Sequence, residues 1–90
     1  MVILKEDYEI LKSILDKGSR LIDAALPQGP LDSWDVWQPV YHRIFSEDMS
    51  RVIYKLIPGF DPYIPDTTYG EDVLSFWREF VEVMDNVTIV

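Results

Sequence analysis

Residues 6–25 read EDYEILKSILDKGSRLIDAA, and the placing of the apolar side chains in this stretch decides the fold class. Tyr8, Leu11, Leu15, Gly18, Ile22 and Ala25 recur at intervals of three and four, the spacing of one buried stripe on a continuous helix from about Glu6 to Ala25. Gly18 falls on that stripe, so its missing side chain lets a neighbouring helix come close. The alternative is a break near Lys17-Gly18, because glycine costs about 1 kcal/mol in a helix interior.

Three further segments keep the same rhythm. The run Leu26-Pro27-Gln28-Gly29-Pro30 stops the first helix, and Asp32 or Ser33 offers the side-chain acceptor that caps a second. Trp34, Trp37, Tyr41, Ile44 and Phe45 form its apolar stripe. Pro39 interrupts it, which predicts a kink near Asp35 to Pro39 or two short helices meeting there. Ser46 can cap a third helix, with Glu47 and Asp48 in its first turn and Met49, Val52, Ile53, Leu56 and Ile57 inward, ended by Pro58-Gly59. The fourth spans about Gly70 to Asp85 and turns Val73, Phe76, Trp77, Phe80, Val81 and Met84 to the core, with Glu71 and Asp72 at its dipole-favoured start. The tail Val87-Thr88-Ile89-Val90 reads either as a β-like segment packed on the body or as a frayed end. Residues 1–90 are therefore expected to form a single all-α domain, a small bundle of about four helices with a proline-rich loop between helices three and four.

Composition sets the class. Three Trp, five Tyr and four Phe in 90 residues supply enough apolar mass for one core and argue against disorder of the whole chain. There is no cysteine, so neither a disulfide framework nor a thiolate metal site can form, and a reducing, cytoplasmic location is expected. Met-Val-Ile-Leu followed by Lys5-Glu6-Asp7 has no basic leader and no long apolar run, so neither a signal peptide nor a membrane span is expected.

The net charge of −8 is unevenly distributed. After Leu56 one basic residue, Arg78, stands against seven acids, Asp61, Asp66, Glu71, Asp72, Glu79, Glu82 and Asp85, while the chain up to Leu56 is nearly balanced. Acidity serves solubility, but a clustered acidic face also attracts cationic partners and speeds their encounter. The segment from Pro58 to Gly70 joins two of these aspartates to Phe60, Tyr63 and Tyr69 and three stiffening prolines. Such a segment either spaces two helices and covers the end of the core, or presents preorganised tyrosine and aspartate contacts to a partner.

Catalytic and metal signatures do not accompany it. His42 is the lone histidine and reads as structural or merely exposed, so no Ser-His-Asp or Cys-His set has its members. The pairs Glu6/Glu9 and Glu79/Glu82 have helical spacing yet read as solvated faces. The isolated glycines make no phosphate-cradling loop, and eight scattered basic residues make no nucleic-acid patch. Neither a cofactor nor a metal is expected.

From Leu21 onward the chain resembles the immunity proteins of the colicin D type. The resemblance rests on Leu21-Ile22-Asp23 followed by Gly29 and Leu31, Trp37, Tyr41 and Phe45 in an aromatic helix, Phe60-Asp61-Pro62-Tyr63 with Pro65-Asp66, and a closing helix opened by Glu71-Asp72 with Leu74. It implies a helical bundle that neutralises a transfer-RNA-cleaving toxin domain, with acids meeting the toxin's basic cleft. Pro39 inside the second helix departs from that pattern. The stretch Tyr69-Gly70-Glu71-Asp72-Val73-Leu74-Ser75-Phe76-Trp77 also resembles the opening of barstar's ribonuclease-binding helix, although the positions of its two target-facing acids are held here by Leu74 and Arg78.

The expected function is a non-enzymatic acidic inhibitor of the immunity or antitoxin class, which occludes the basic active site of a nuclease. Its partner-binding residues are expected to be Asp61, Tyr63, Asp66, Tyr69, Glu71 and Asp72. The alternatives are a phage-encoded inhibitor of a host defence nuclease and a helical scaffold or interaction subunit. The oligomeric state is left open.

Overall fold

The computed structural model describes residues 1–46, 48–65 and 67–90, without the side chain of Asp48. The expectations for Glu47, for the side chain of Asp48 and for Asp66 lie outside the described residues. The chain runs β1 (Val2–Ile3), α1 (Lys5–Ala25), a short 3-10 turn (Leu26–Gln28), α2 (Trp34–Tyr41), a π turn (His42–Ser46), α3 (Asp48–Leu56), α4 (Tyr69–Asp85) and β2 (Thr88–Ile89). It is mostly helical, and residues 57–65 and 67–68, between α3 and α4, form neither helix nor strand.

α1 is unbroken, and its buried residues are Leu11, Gly18, Ile22 and Ala25, with Tyr8 and Leu15 packed against the core. Gly18 shows why the helix tolerates a glycine at its middle. A Cβ there would lie 2.1 Å from Cη2 and 2.3 Å from Cζ2 of Trp77, so the indole of α4 rests directly on the α1 backbone. The indole Nε1–H donates to Ser19 Oγ at 3.1 Å, which fixes the ring's orientation along α1.

The second segment differs from expectation in two ways. α2 passes through Pro39 and ends at Tyr41, and the irregularity lies downstream, in the π turn. Pro39 leaves the carbonyl of Asp35 without its helical donor, but Asp35 is exposed and water can take that bond. The π turn answers a slip in the apolar rhythm: Trp37, Val40 and Ile44 are buried at normal spacing, Phe45 packs on the core directly after Ile44, and Met49 and the buried Ser50 follow at the start of α3. Ser50, buried at the start of α3, donates its hydroxyl to Phe45 O at 3.2 Å. Trp34, expected on the apolar stripe, is 59% exposed because it stands at the first turn of α2, beyond the edge of the core. Trp37 is fully buried, and its Nε1–H has no partner among the described residues, a desolvated donor that costs about 1–3 kcal/mol against the apolar area its ring buries.

α4 begins one residue earlier than expected, capped by Thr68, whose Oγ1 accepts from Glu71 N at 3.1 Å. Val73, Phe76, Trp77, Phe80 and Met84 are buried as the periodicity predicts. At the start of α4, Gly70 N donates to Leu31 O at 3.2 Å, and a Cβ on Gly70 would meet that oxygen at 2.6 Å. The chain leading into α2 is thus laid against α4 where only glycine fits. Phe60 roofs the core, with its ring centroid 5.6 Å from Phe76 and 6.4 Å from Phe80.

The two ends of the chain supply the remaining element. β1 and β2 pair in parallel, Val2 with Thr88 and Ile3 with Ile89, and Ile3 enters the core. Of the two readings of residues 87–90 the structure has the β-like one, and the matching strand at the N-terminus is an addition to the all-α expectation.

Gly18→Ala is expected to lower stability by about 1–3 kcal/mol in chemical denaturation, although at an open helical site the same change gains about 1 kcal/mol. Trp77→Ala is expected to cost about 3–5 kcal/mol in the same measurement.

Candidate functional site

Five of the described acids of the last third, Asp61, Glu71, Asp72, Glu79 and Glu82, fall into two groups with different work. Pro58-Gly59 reverses the chain after α3, with Gly59 at a positive φ of 82°. That turn seats Phe60 against the ring of Tyr54, centroids 5.8 Å apart, and leaves Asp61 exposed beside the Tyr54 hydroxyl. Burial, and after it the negative charge of Asp61, raises the Tyr54 hydroxyl above the ordinary tyrosine range.

One stripe of α4, Glu79, Glu82 and Val83, continues into Asn86 just past its end. Together with Asp61 and Pro62 they line an open groove of about 410 Å³, into which no Lys, Arg or His side chain of the described residues projects. Asn86, the residue after α4, donates Nδ2–H to Glu82 O at 2.7 Å and so secures the end of that stripe. Arg78, the one basic residue of this third, lines a separate shallow face with Glu71 and Pro65, and does not line the Asp61 groove.

Glu71 and Asp72 serve the start of α4. Thr67 Oγ1 donates to Glu71 Oε2, and Thr67 N–H donates to Asp72 Oδ1 at 3.2 Å. Asp72 is only 6% exposed, so it lacks the open surface expected of a partner-facing carboxylate, and its charge is spent largely on the helix end. Tyr69 is half-buried, its ring 4.7 Å from Tyr41 and 6.4 Å from Trp34. Tyr63 is 76% exposed, and Glu71 is exposed as well.

The six residues expected to form one binding face are therefore not all brought together. Asp61 lies in the acidic groove, while Tyr69 and Asp72 line a second groove with Trp34 and Asp32. Ten residues separate Asp72 from Glu82, about 15 Å along the axis of α4. Glu79 and Glu82, read from the sequence as a solvated face, line the same groove as Asp61, and Glu79 is half-buried. The signal for them was present in the sequence: Glu79, Glu82, Val83 and Asn86 repeat at intervals of three, four and seven on the side of α4 away from Trp77 and Phe80.

Chemically the groove offers carboxylates without a nucleophile–base pair. Among the described residues no group of three or more His, Cys, Asp or Glu is placed to hold a metal ion, and no helix is long and apolar enough to cross a membrane. No family model matches the chain, and no characterised protein or solved structure does either.

Tyrosinate absorbance compared between the native chain and Tyr54→Phe is expected to show Tyr54 ionising later than the ordinary value of about 10. Asp61→Asn should bring it part of the way back, because burial is the larger cause. The sign for stability follows. The unfolded chain ionises first, so the contribution of Tyr54 is complete below about pH 10 and is lost as pH rises through its higher native value.

Proposed function

We propose that this protein is a non-enzymatic inhibitor of the immunity or antitoxin class, a small helical bundle whose proline-rich connection and fourth helix present carboxylates to the basic active site of a nuclease. The observation that carries this reading is the acidic groove, where Asp61, Glu79 and Glu82 line one open cleft in the third of the chain that holds a single basic residue. Carboxylates held there stand in for substrate phosphates: they offer negative oxygens to the Arg and Lys side chains that otherwise bind nucleic acid, and their field accelerates encounter. Tyr63, largely exposed after Pro62, supplies contact area with few rotors to order. The charge distribution and the resemblance to the colicin D-type immunity proteins support the same reading.

A second reading, an interaction or scaffold subunit held by apolar burial, is favoured by a specific observation: Val2, Leu4, Ile89 and Val90 are exposed around the strand pair.

The test is a tagged pull-down from the native cell, eluted in a salt gradient and identified by mass spectrometry. A basic nuclease domain released by salt is the expected result, and a neutral partner retained through high salt would replace the inhibitor reading by the second. With the nuclease in hand, Asp61→Asn, Glu79→Gln and Glu82→Gln combined should slow association about ten- to a hundredfold and flatten its salt dependence, with circular dichroism unchanged. Association unaffected by the triple change would remove the groove from the interface.

A further inference from the structure

At the other end of α4 lies a second groove, of about 290 Å³, lined by Asp32, Trp34, Tyr41, Thr68, Tyr69 and Asp72 among others. Its composition differs from that of the acidic groove, since three aromatic rings meet two carboxylates and no Lys, Arg or His is among the lining residues. The rings form a continuous ladder into the core. Trp34 is 6.4 Å from Tyr69, Tyr69 is 4.7 Å from Tyr41, Tyr41 is 4.6 Å from Phe45, and Phe45 is 5.0 Å from the fully buried Phe76. The outermost ring therefore rests on a rigid stack, yet it is 59% exposed, the most exposed of the three tryptophans. A tryptophan held open at the rim of a groove with acids beside it offers an electron-rich face to a cation.

The start of α2 and the start of α4 both border this groove, and each helix end carries about half a positive elementary charge. Together they offset about one of the two negative charges of Asp32 and Asp72, which leaves the groove net negative. Asp72 is held at the base by Thr67 N–H, and Asp32 is exposed at the edge. A carboxylate and an aromatic face side by side suit a planar cation better than a spherical one: a guanidinium can stack on the ring while its edge donates to the carboxylate, whereas an ammonium is more strongly hydrated and has no plane to stack.

We infer that the Trp34–Tyr69 groove is a recognition pocket for an arginine side chain of a partner protein, with Trp34 as the stacking surface and Asp32 as the charged acceptor. The pocket goes beyond the inhibitor reading, since it recognises a protein side chain whatever protein carries it, and none of its residues lines the Asp61 groove.

The full chain, isotopically labelled, is titrated with the capped tripeptide Gly-Arg-Gly and followed by NMR, with the same peptide carrying citrulline or lysine at its centre. The expected result is a saturable shift of the Trp34 indole N–H and the Tyr69 amide with the arginine peptide, a weaker one with lysine and none with citrulline. Trp34→Ala and Asp32→Asn each weaken the arginine peptide about three- to tenfold. Trp34 is exposed, so the dispersion of the Trp37 and Trp77 indole signals reports that the fold is kept. Equal shifts with citrulline, no effect of either substitution, or shifts confined to Asp61, Glu79 and Glu82 would each overturn the inference. The last of these would leave the acidic groove standing as the site for cations.

Discussion

The indole of Trp77 lying on Gly18 is the contact on which the arrangement of the helices depends. A side chain of any size at position 18 would push the ring away, and with it the whole inner face of α4. Packed at this range, Trp77 brings Phe80 to 5.2 Å from itself, and Phe76 and Phe80 become the floor on which Phe60 settles. The hydrogen bond from Trp77 to Ser19 adds direction to what packing alone leaves adjustable, since dispersion is insensitive to small slides along the helix and a donor–acceptor pair is not. Gly70 against Leu31 repeats the device at the other end of α4. Two close approaches about seven residues apart set the rotation of α4, and that rotation decides which of its acids face solvent.

Helical spacing carried most of the architecture. Leu11, Ile22, Ile53, Ile57, Phe76 and Phe80 lie on stripes that can be read by intervals of three and four, and all are buried. The features that were not legible depend on contacts distant in the chain or on a change of period. Val2 and Ile3 form a strand only because Thr88 and Ile89 lie beside them, and two residues of β-branched or aliphatic character signal nothing alone. Pro39 drew attention to the wrong turn: proline announces a lost donor, whereas the change of period over His42–Ser46 has no residue type to mark it. Trp34 shares the spacing of a core residue, but periodicity gives the face of a helix and not how far the core extends along it.

The same limit explains the division of the candidate site. Clustering in sequence suggested one acidic face from Asp61 to Asp72, yet Thr67 engages both acids at the start of α4: its hydroxyl donates to the exposed Glu71 and its N–H to the buried Asp72. A carboxylate at a helix start is worth about 0.3–1 kcal/mol through the dipole, and a buried acceptor of a backbone N–H is costly to remove, so these two acids have a sufficient structural reason to be where they are. Asp61, Glu79 and Glu82 have no such reason. Among the described residues no comparable hydrogen bond engages these three carboxylates, so the groove is the part of the acidic surface that capping of the helix start does not account for.

What holds the groove's shape is the pairing of the chain ends. Glu82 stands in the last turn of α4 and Asn86 just after it, and the last turn of a helix frays unless the residues after it are tied down. Thr88 N–H donates to Met1 O at 2.8 Å, Val90 N–H to Ile3 O at 3.0 Å and Lys5 N–H to Val90 O at 3.1 Å, so the segment following α4 is fixed to the start of α1. Met1 itself lines the groove. Because α1 is already joined to α4 through Gly18 and Trp77, the strand pair closes a loop of rigid elements around the end of the cleft and holds the α4 side of it in place. Under the proposed inhibitor reading, that preorganisation lowers the entropy lost on binding.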